Sequence, residues 1–194
     1  LLEKGGNLMP NARKPIIFTE YPKDKHHYRP DIQPVMEAVL KRFGEEEWNS
    51  ILLTSELHRH LGIYSILGAK MGVYAREILN ASLDELQVTS YTGNKTPLSC
   101  FNDGLQVSTG ATLGHGLIQV MEDNPRIEAV FEKNGTAIRI RLKQEVVRQI
   151  EQHIENALKK HGGLNKEYFE EIRTIALEIW QEFDRKEIFI VVGR

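Results

Sequence analysis

One thiol and three imidazoles fall in two short stretches of this chain, and they are ligand types that zinc and other borderline metals prefer. The first stretch, Glu56 to Gly62, carries His58 and His60; the second, Cys100 to Gly116, carries the only cysteine together with Asp103, Gln106 and His115. Their density predicts one site assembled from two distant parts of the chain. Two residues apart, His58 and His60 would point to the same side of an extended segment. With a helix starting near Leu61, both would also sit at its N-terminus, where free amides and the helix dipole favour an anion or a thiolate. An ordinary capping or surface pair has the same spacing.

Cys100 precedes a predicted helix start, a position that lowers a thiol pKa. Asp103 and Gln106 follow at i+3 and i+6, near one helix face. The plain alternatives are an inert buried thiol, a carboxylate that serves only the helix dipole, and a solvent-facing amide. Thr109 to Gly116 is a Thr/Gly-rich turn whose backbone amides would present themselves to an anionic group. It is neither a P-loop nor a dinucleotide-binding fingerprint. His115 stands between two glycines, free to swing into a site or simply exposed in a loop. His26, His27, His153 and His161 lack such company and read as surface residues.

The elements that must position these groups follow from periodicity and turn chemistry. Residues 1–30 read as a polar N-terminal arm. Asp31 to Phe43 has a helical apolar period that ends at Gly44. Trp48 to Leu53 is a short apolar run leading into the histidines. Leu61 to Leu79 reads as a long helix crowded with Gly62, Gly68 and Gly72. Each helix glycine costs roughly 1 kcal/mol relative to alanine, so a close-packing or ligand reason is expected. Leu86 to Tyr91 alternates as a strand, Phe101 to Thr109 reads as a short helix, and Leu117 to Met121 as the next strand. Arg126 to Leu142 is a hairpin about Asn134-Gly135, the pair that a type I′ turn prefers. Glu145 to Lys160 and Tyr168 to Phe183 are helices, and Glu187 to Val192 is a closing strand. Without a repeating βαβ pattern, these elements predict a single α+β domain with a mixed or antiparallel sheet packed by several helices.

Composition narrows the function classes. The 25 basic and 27 acidic residues nearly cancel over 194 residues, which gives no support for nucleic-acid binding through phosphate neutralisation. A single cysteine forms no internal disulfide and fits a reducing compartment. No apolar run reaches the ~18 residues of a membrane span, and the first residues lack the apolar core of a signal peptide. A cytoplasmic protein is the expectation, with the reservation that a chain beginning at Leu1 leaves room for an upstream piece.

Taken together, the two stretches resemble the E-subunit family of formylmethanofuran dehydrogenase. That family has a His-Gly-His-x-Cys-Pro-Gly motif opening a helix, then a Cys-x-x-Asp-x-x-Gln segment leading to Thr-Gly-x-Thr-x-Gly-x-Gly. Here the first stands as His58, Arg59, His60, Leu61, Gly62, Ile63 and Tyr64, with Gly68 matching the helix glycine. The second stands as Cys100, Asp103 and Gln106, then Thr109, Gly110, Thr112, Gly114 and Gly116. The match covers residues 50–140, with 143–194 as a helical C-terminal part. The departures are Gly62 for the family's cysteine, Ile63 for its proline, Tyr64 for its glycine, Ala111 for a turn cysteine and His115 for a lysine. Fewer thiols make a harder, imidazole-richer site, with Cys100 the one soft ligand. The resemblance implies a stand-alone core domain and an α+β homodimer.

The leading expectation is a metal-binding protein, with zinc or another divalent transition metal held by some of His58, His60, Cys100 and His115. Cys100 and Asp103 would be the catalytic candidates, and Gln106, Thr112 and Gly114 would bind substrate. The ligand would be a small pterin-like or C1-carrying molecule. The alternatives are a metal-free enzyme with Cys100 as nucleophile activated by a histidine, and an accessory subunit acting through protein–protein contacts. One cysteine cannot hold an iron–sulfur cluster, which takes four thiolates.

Overall fold

The computed structural model describes residues 13–192, so the first part of the N-terminal arm lies outside the described residues. Residues 13–32 run along the body with one turn of 3-10 helix at Lys25–His27. Helix α1 (Gln33–His58) follows, broken at Gly44, whose φ of 85° and ψ of 171° are non-helical. Beyond it come α2 (Ile63–Leu79), β1 (Gln87–Ser90), α3 (Phe101–Thr109) and β2 (Ile118–Val120). The hairpin β3 (Glu128–Lys133) and β4 (Thr136–Leu142) leads to α4 (Gln144–His161), α5 (Lys166–Glu182), a single turn α6 (Arg185–Ile188) and β5 (Phe189–Val192). The expected α+β domain is what forms.

The five strands make one sheet in the order β2-β1-β3-β4-β5, parallel between β1 and β2 and antiparallel elsewhere. Alternation sends Val88, Phe131, Ile138 and Ile140 into the core, the period expected of a sheet with one covered face. Asn134 and Gly135 both take positive φ, 51° and 79°, which is the type I′ geometry. Trp48 to Leu53 is not a separate run. It belongs to the second half of α1, which continues to His58 once Gly44 has re-aimed the chain. Two of the predicted boundaries also move: α2 begins at Ile63, and the closing strand is preceded by the α6 turn.

Helix α2 is the centre of the molecule, buried at every residue from Ile63 to Val73. Its glycines form the seam with α3. A Cβ at Gly68 would land on the Phe101 carbonyl, and one at Gly72 would overlap the Ser108 hydroxyl. From the other side, a Cβ at Gly104 would come 2.7 Å from the Gly68 carbonyl carbon and still closer to the Ser65 carbonyl oxygen. The two backbones are in direct contact, which is the close-packing reason that the glycine content called for.

A buried charge network holds α1, α5 and α6 to α2. Lys70 is fully buried and donates to Glu47 at 2.6 Å, to the Phe183 carbonyl at 2.8 Å and to the Trp180 carbonyl at 3.2 Å. Arg185 reaches the other Glu47 oxygen at 2.8 Å and Glu77 at 2.6 Å. Burial pushes the Lys70 ammonium below its ordinary pKa, and Glu47 is the chief opposing influence. Arg76 and Glu46 pair beside it, and the Arg13 backbone N–H donates to Glu46 at 2.7 Å.

Because the obstacle at Gly104 is backbone, no rotamer change relieves it. Gly104→Ala is expected to destabilise the fold by about 3 kcal/mol or more, at the upper end of overpacking costs. Urea unfolding of the parent and the variant checks this; an unchanged midpoint would contradict the seam.

Candidate functional site

The chain reverses between α1 and α2 over four residues. His58 is the last residue of α1, Arg59 takes the left-handed conformation with φ of 67° and ψ of 6°, and Gly62 caps α2 from an extended conformation. A non-glycine residue seldom takes the conformation of Arg59. The reversal brings the His60 ring over His58, with centroids 4.2 Å apart and planes tilted by 42°. The two rings therefore do share a side, but through a helix end and a left-handed residue instead of an extended segment. Gly62 makes room for His60: a Cβ there would come 3.1 Å from His60 Nε2.

Cys100 caps α3, and Asp103 lies in its first turn. The glycine seam carries this end of α3 to the α1–α2 junction. Asp103 Oδ2 lies 2.7 Å from His58 Nδ1, and the His58 side chain is only 11% exposed. Its other nitrogen, Nε2, is buried with no hydrogen-bond partner among the described residues. The Asp103 hydrogen bond, followed by a weaker hydrogen-bonding interaction with the Cys100 thiol, raises the His58 imidazole to about 9 against the opposing effect of burial. His60 moves the other way, lowered first by burial and then by the neighbouring His58 charge.

Aromatic residues from elsewhere complete the surroundings. Tyr64, in the first turn of α2, is pushed up to about 12 by burial, then by Glu151, Tyr168 and Cys100, so its hydroxyl stays protonated. Phe169 of α5 stands edge-on to His60 with centroids 6.4 Å apart. Tyr168 and Phe169 carry no motif signal and come from a helix more than 100 residues downstream of His60. Only tertiary packing could have found them.

The turn after α3 is placed elsewhere. α3 spans nine residues, roughly 13 Å along its axis, with Cys100 at one end and His115 beyond the other. His115 Nδ1 lies 3.2 Å from the Gly110 carbonyl and 3.4 Å from Asp84, and its side chain is 56% exposed. Gln106 Oε1 accepts from the Leu113 backbone N–H at 3.1 Å, and Thr112 Oγ1 accepts from that of His115 at 3.2 Å. Within one chain these residues brace the turn, Gly114 lies on its exposed part, and none joins His58. The structure thus brings together His58, His60, Cys100 and Asp103. Among the described residues, no three His, Cys, Asp or Glu side chains are already gathered as a metal cage.

Two kinds of chemistry suit the arrangement. A histidine held by a carboxylate through one nitrogen presents the other as an oriented metal ligand. The same carboxylate–imidazole pair beside a thiol has the parts of an activated nucleophile.

Residues 57–190 match the model of the family described as FmdE, Molybdenum formylmethanofuran dehydrogenase operon. The match covers more than half of the chain and takes in the whole site. No curated protein matches the chain. No helix among the described residues is long and apolar enough to cross a membrane.

The His58–Asp103 pair gives a pH signature in chelator-treated protein. A folded-state pKa of about 9, above the ordinary 6.5, means the stabilisation is complete below 6.5 and is lost as pH rises through about 9. Asp103→Asn is expected to cost about 2 kcal/mol near pH 6, the scale of a hydrogen bond to a charged group, and much less at about pH 10. Urea unfolding at both pH values, beside NMR titration of the imidazole, checks it. A His58 midpoint near its ordinary value would contradict the pairing.

Proposed function

The chain belongs to the FmdE family, and on that premise we propose that it is a metal-binding protein that binds or acts on a small molecule at the His58–Cys100 junction. Zinc is the ion that its imidazole and thiol donors suit best. The observation that carries this reading is the buried Nε2 of His58, which has no hydrogen bond of normal geometry and only the Cys100 thiol near its ring, while Asp103 orients that ring through Nδ1. With its pKa raised to about 9, the imidazole carries a proton on Nε2 at neutral pH, so an ion bound there would displace that proton and its uptake would rise with pH.

His58 and Cys100 would hold the ion from the ends of two helices fixed by the glycine seam. His60 would join as the third donor, since it stacks on His58 and lies on an exposed connection. Asp103 keeps the proton on Nδ1, which makes Nε2 the ligating atom. Zinc with three protein ligands supplies Lewis acidity and leaves one position for water or a small molecule. Tyr64, protonated at neutral pH, offers a hydroxyl donor beside Cys100. The homodimer that the resemblance implies would cover Leu57 and Phe169, which are 58% and 50% exposed next to the two histidines.

A second reading is favoured by the influence of Cys100 on the His58 imidazole. Thiol, imidazole and carboxylate stand in the order nucleophile, base and orienting group, as a metal-free cysteine enzyme requires. It requires rapid iodoacetamide alkylation of Cys100 at neutral pH in chelator, and slow alkylation in His58→Ala.

Elemental analysis of protein purified without a metal-affinity tag tests the leading reading. About one ion per chain is expected in the parent, lost in Cys100→Ser and His58→Ala proteins that keep their far-UV circular dichroism. Asp103→Asn should retain the site with zinc affinity reduced about 10- to 100-fold, the usual effect of removing a carboxylate behind a ligating histidine. A parent that is metal-free as purified and takes up no zinc on titration overturns the proposal.

A further inference from the structure

Beside His60 the structure has a cavity of about 290 Å³, walled by the N-terminal arm, the end of α1 and α5. Its volume is close to the lower end of small-molecule sites. Three guanidiniums line it, Arg29, Arg59 and Arg173, against one lining carboxylate, Glu56. Asp31 stands behind them, 2.5 Å from Arg173 Nε and 3.9 Å from Arg29 Nε. Even with Asp31 counted, cations exceed carboxylates, in a chain whose net charge is −2. Arg59 makes no hydrogen bond or ion pair among the described residues, and it is the residue in left-handed conformation between the two site histidines.

A second, independent feature is Trp180. It lines the cavity, is 2% exposed, and its indole N–H has no hydrogen-bond partner among the described residues. A buried donor of this kind is normally satisfied, and an acceptor in the cavity would satisfy it. The remaining wall mixes apolar and aromatic groups, Ile32, Leu52, Leu61 and Tyr28, with the polar His27 and Ser55. Guanidiniums bind oxyanions through paired N–H donors, and the apolar part of the wall suits a compact hydrocarbon or ring body.

We propose that this cavity binds a small organic oxyanion, a carboxylate or phosphate ester on a compact apolar body, gripped by Arg59 and Arg173 and directed toward His60. The inference deepens the function proposed above by giving the class of its small molecule, and it rests on that reading only for what happens at the far end of the ligand. Arg59 links the two: its left-handed conformation turns His60 onto His58 and its side chain lines the cavity. The ligand would therefore lie with its anionic group among the arginines and its other end at the His58–His60 rings.

The chain has two tryptophans, and Trp48 stacks on Trp180 at 4.8 Å, so intrinsic fluorescence reports on this cavity. The test titrates apo protein with inorganic phosphate and with benzoate, against sodium chloride at matched ionic strength. A saturable change with at least one of the two anions is expected. Its apparent Kd should rise about tenfold in Arg59→Asn or in Arg173→Gln, the effect of losing one charge-assisted hydrogen bond. Asn tolerates the left-handed conformation at position 59, so that variant keeps the fold while removing the charge. Because the titrated protein is apo and neither Arg59 nor Arg173 is a proposed metal donor, anion binding succeeds or fails whether or not the chain takes up zinc, which separates failure of this inference from failure of the metal site. No saturable change with either anion in the parent, or an apparent Kd unmoved in both arginine variants, overturns it.

Discussion

Everything at the candidate site depends on how closely α2 and α3 approach. An ordinary helix pair is held 8–10 Å apart by its side chains, and at that distance the start of α3 would stand away from the α1–α2 turn. Gly68 and Gly104 remove the side chains at the crossing, so backbone lies against backbone. Three glycines in two helices carry a propensity cost of roughly 3 kcal/mol, which the dense packing of a fully buried α2 offsets. The result is positional. Cys100 and Asp103 are fixed relative to the end of α1 by atoms that have no rotamers, and a 2.7 Å contact to His58 follows.

The other half of that contact is the placement of α1. Its second half begins at a broken helix, and Gly44 alone would leave the direction of Glu45–His58 loosely set. Glu47 sets it. One carboxylate is shared by Lys70 of α2 and Arg185 of α6, and all three groups are buried. A buried ion pair adds little net stability compared with an apolar isostere, but breaking one is costly, so it tolerates few alternative registers. A slip of α1 by one residue would move Glu47 off both partners and His58 off Asp103 at the same time. The network therefore acts on the site through geometry, with no charge of its own there.

Elements governed by local chemistry were legible in the sequence. α3 spans the predicted Phe101–Thr109, and the hairpin turns at Asn134-Gly135, because capping and turn preferences act within a few residues. The Cys100–Asp103 grouping was legible for the same reason, as one turn of one helix. The surroundings of His58 were not. An apolar run of six residues does not distinguish strand from helix, and Trp48, which opens it, packs on Tyr28 and Trp180 from other segments. His115 shares a motif stretch with Cys100 but lies past the opposite end of α3. Proximity in sequence gave it the same standing as the true neighbours, and only the helix between them separates it. Arg173, Phe169 and Trp180 reach the site region from α5 with no motif at all.

The turn His58–Gly62 concentrates these constraints. A helix that ends on a residue in left-handed conformation usually uses glycine, whose missing Cβ makes that conformation free of strain. Here Arg59 occupies it, with φ of 67°. A glycine would make the same reversal more readily but would bring no side chain to the cavity beside it. Strain held at one residue needs surroundings that determine it from both sides. α1 is fixed before Arg59 by Glu47, and α2 is fixed after it by the glycine seam. The two devices that hold the helices in place are therefore also what allow a charged residue to stand where glycine is the easier choice. That charge lies between the paired imidazoles and the cavity that His60 lines.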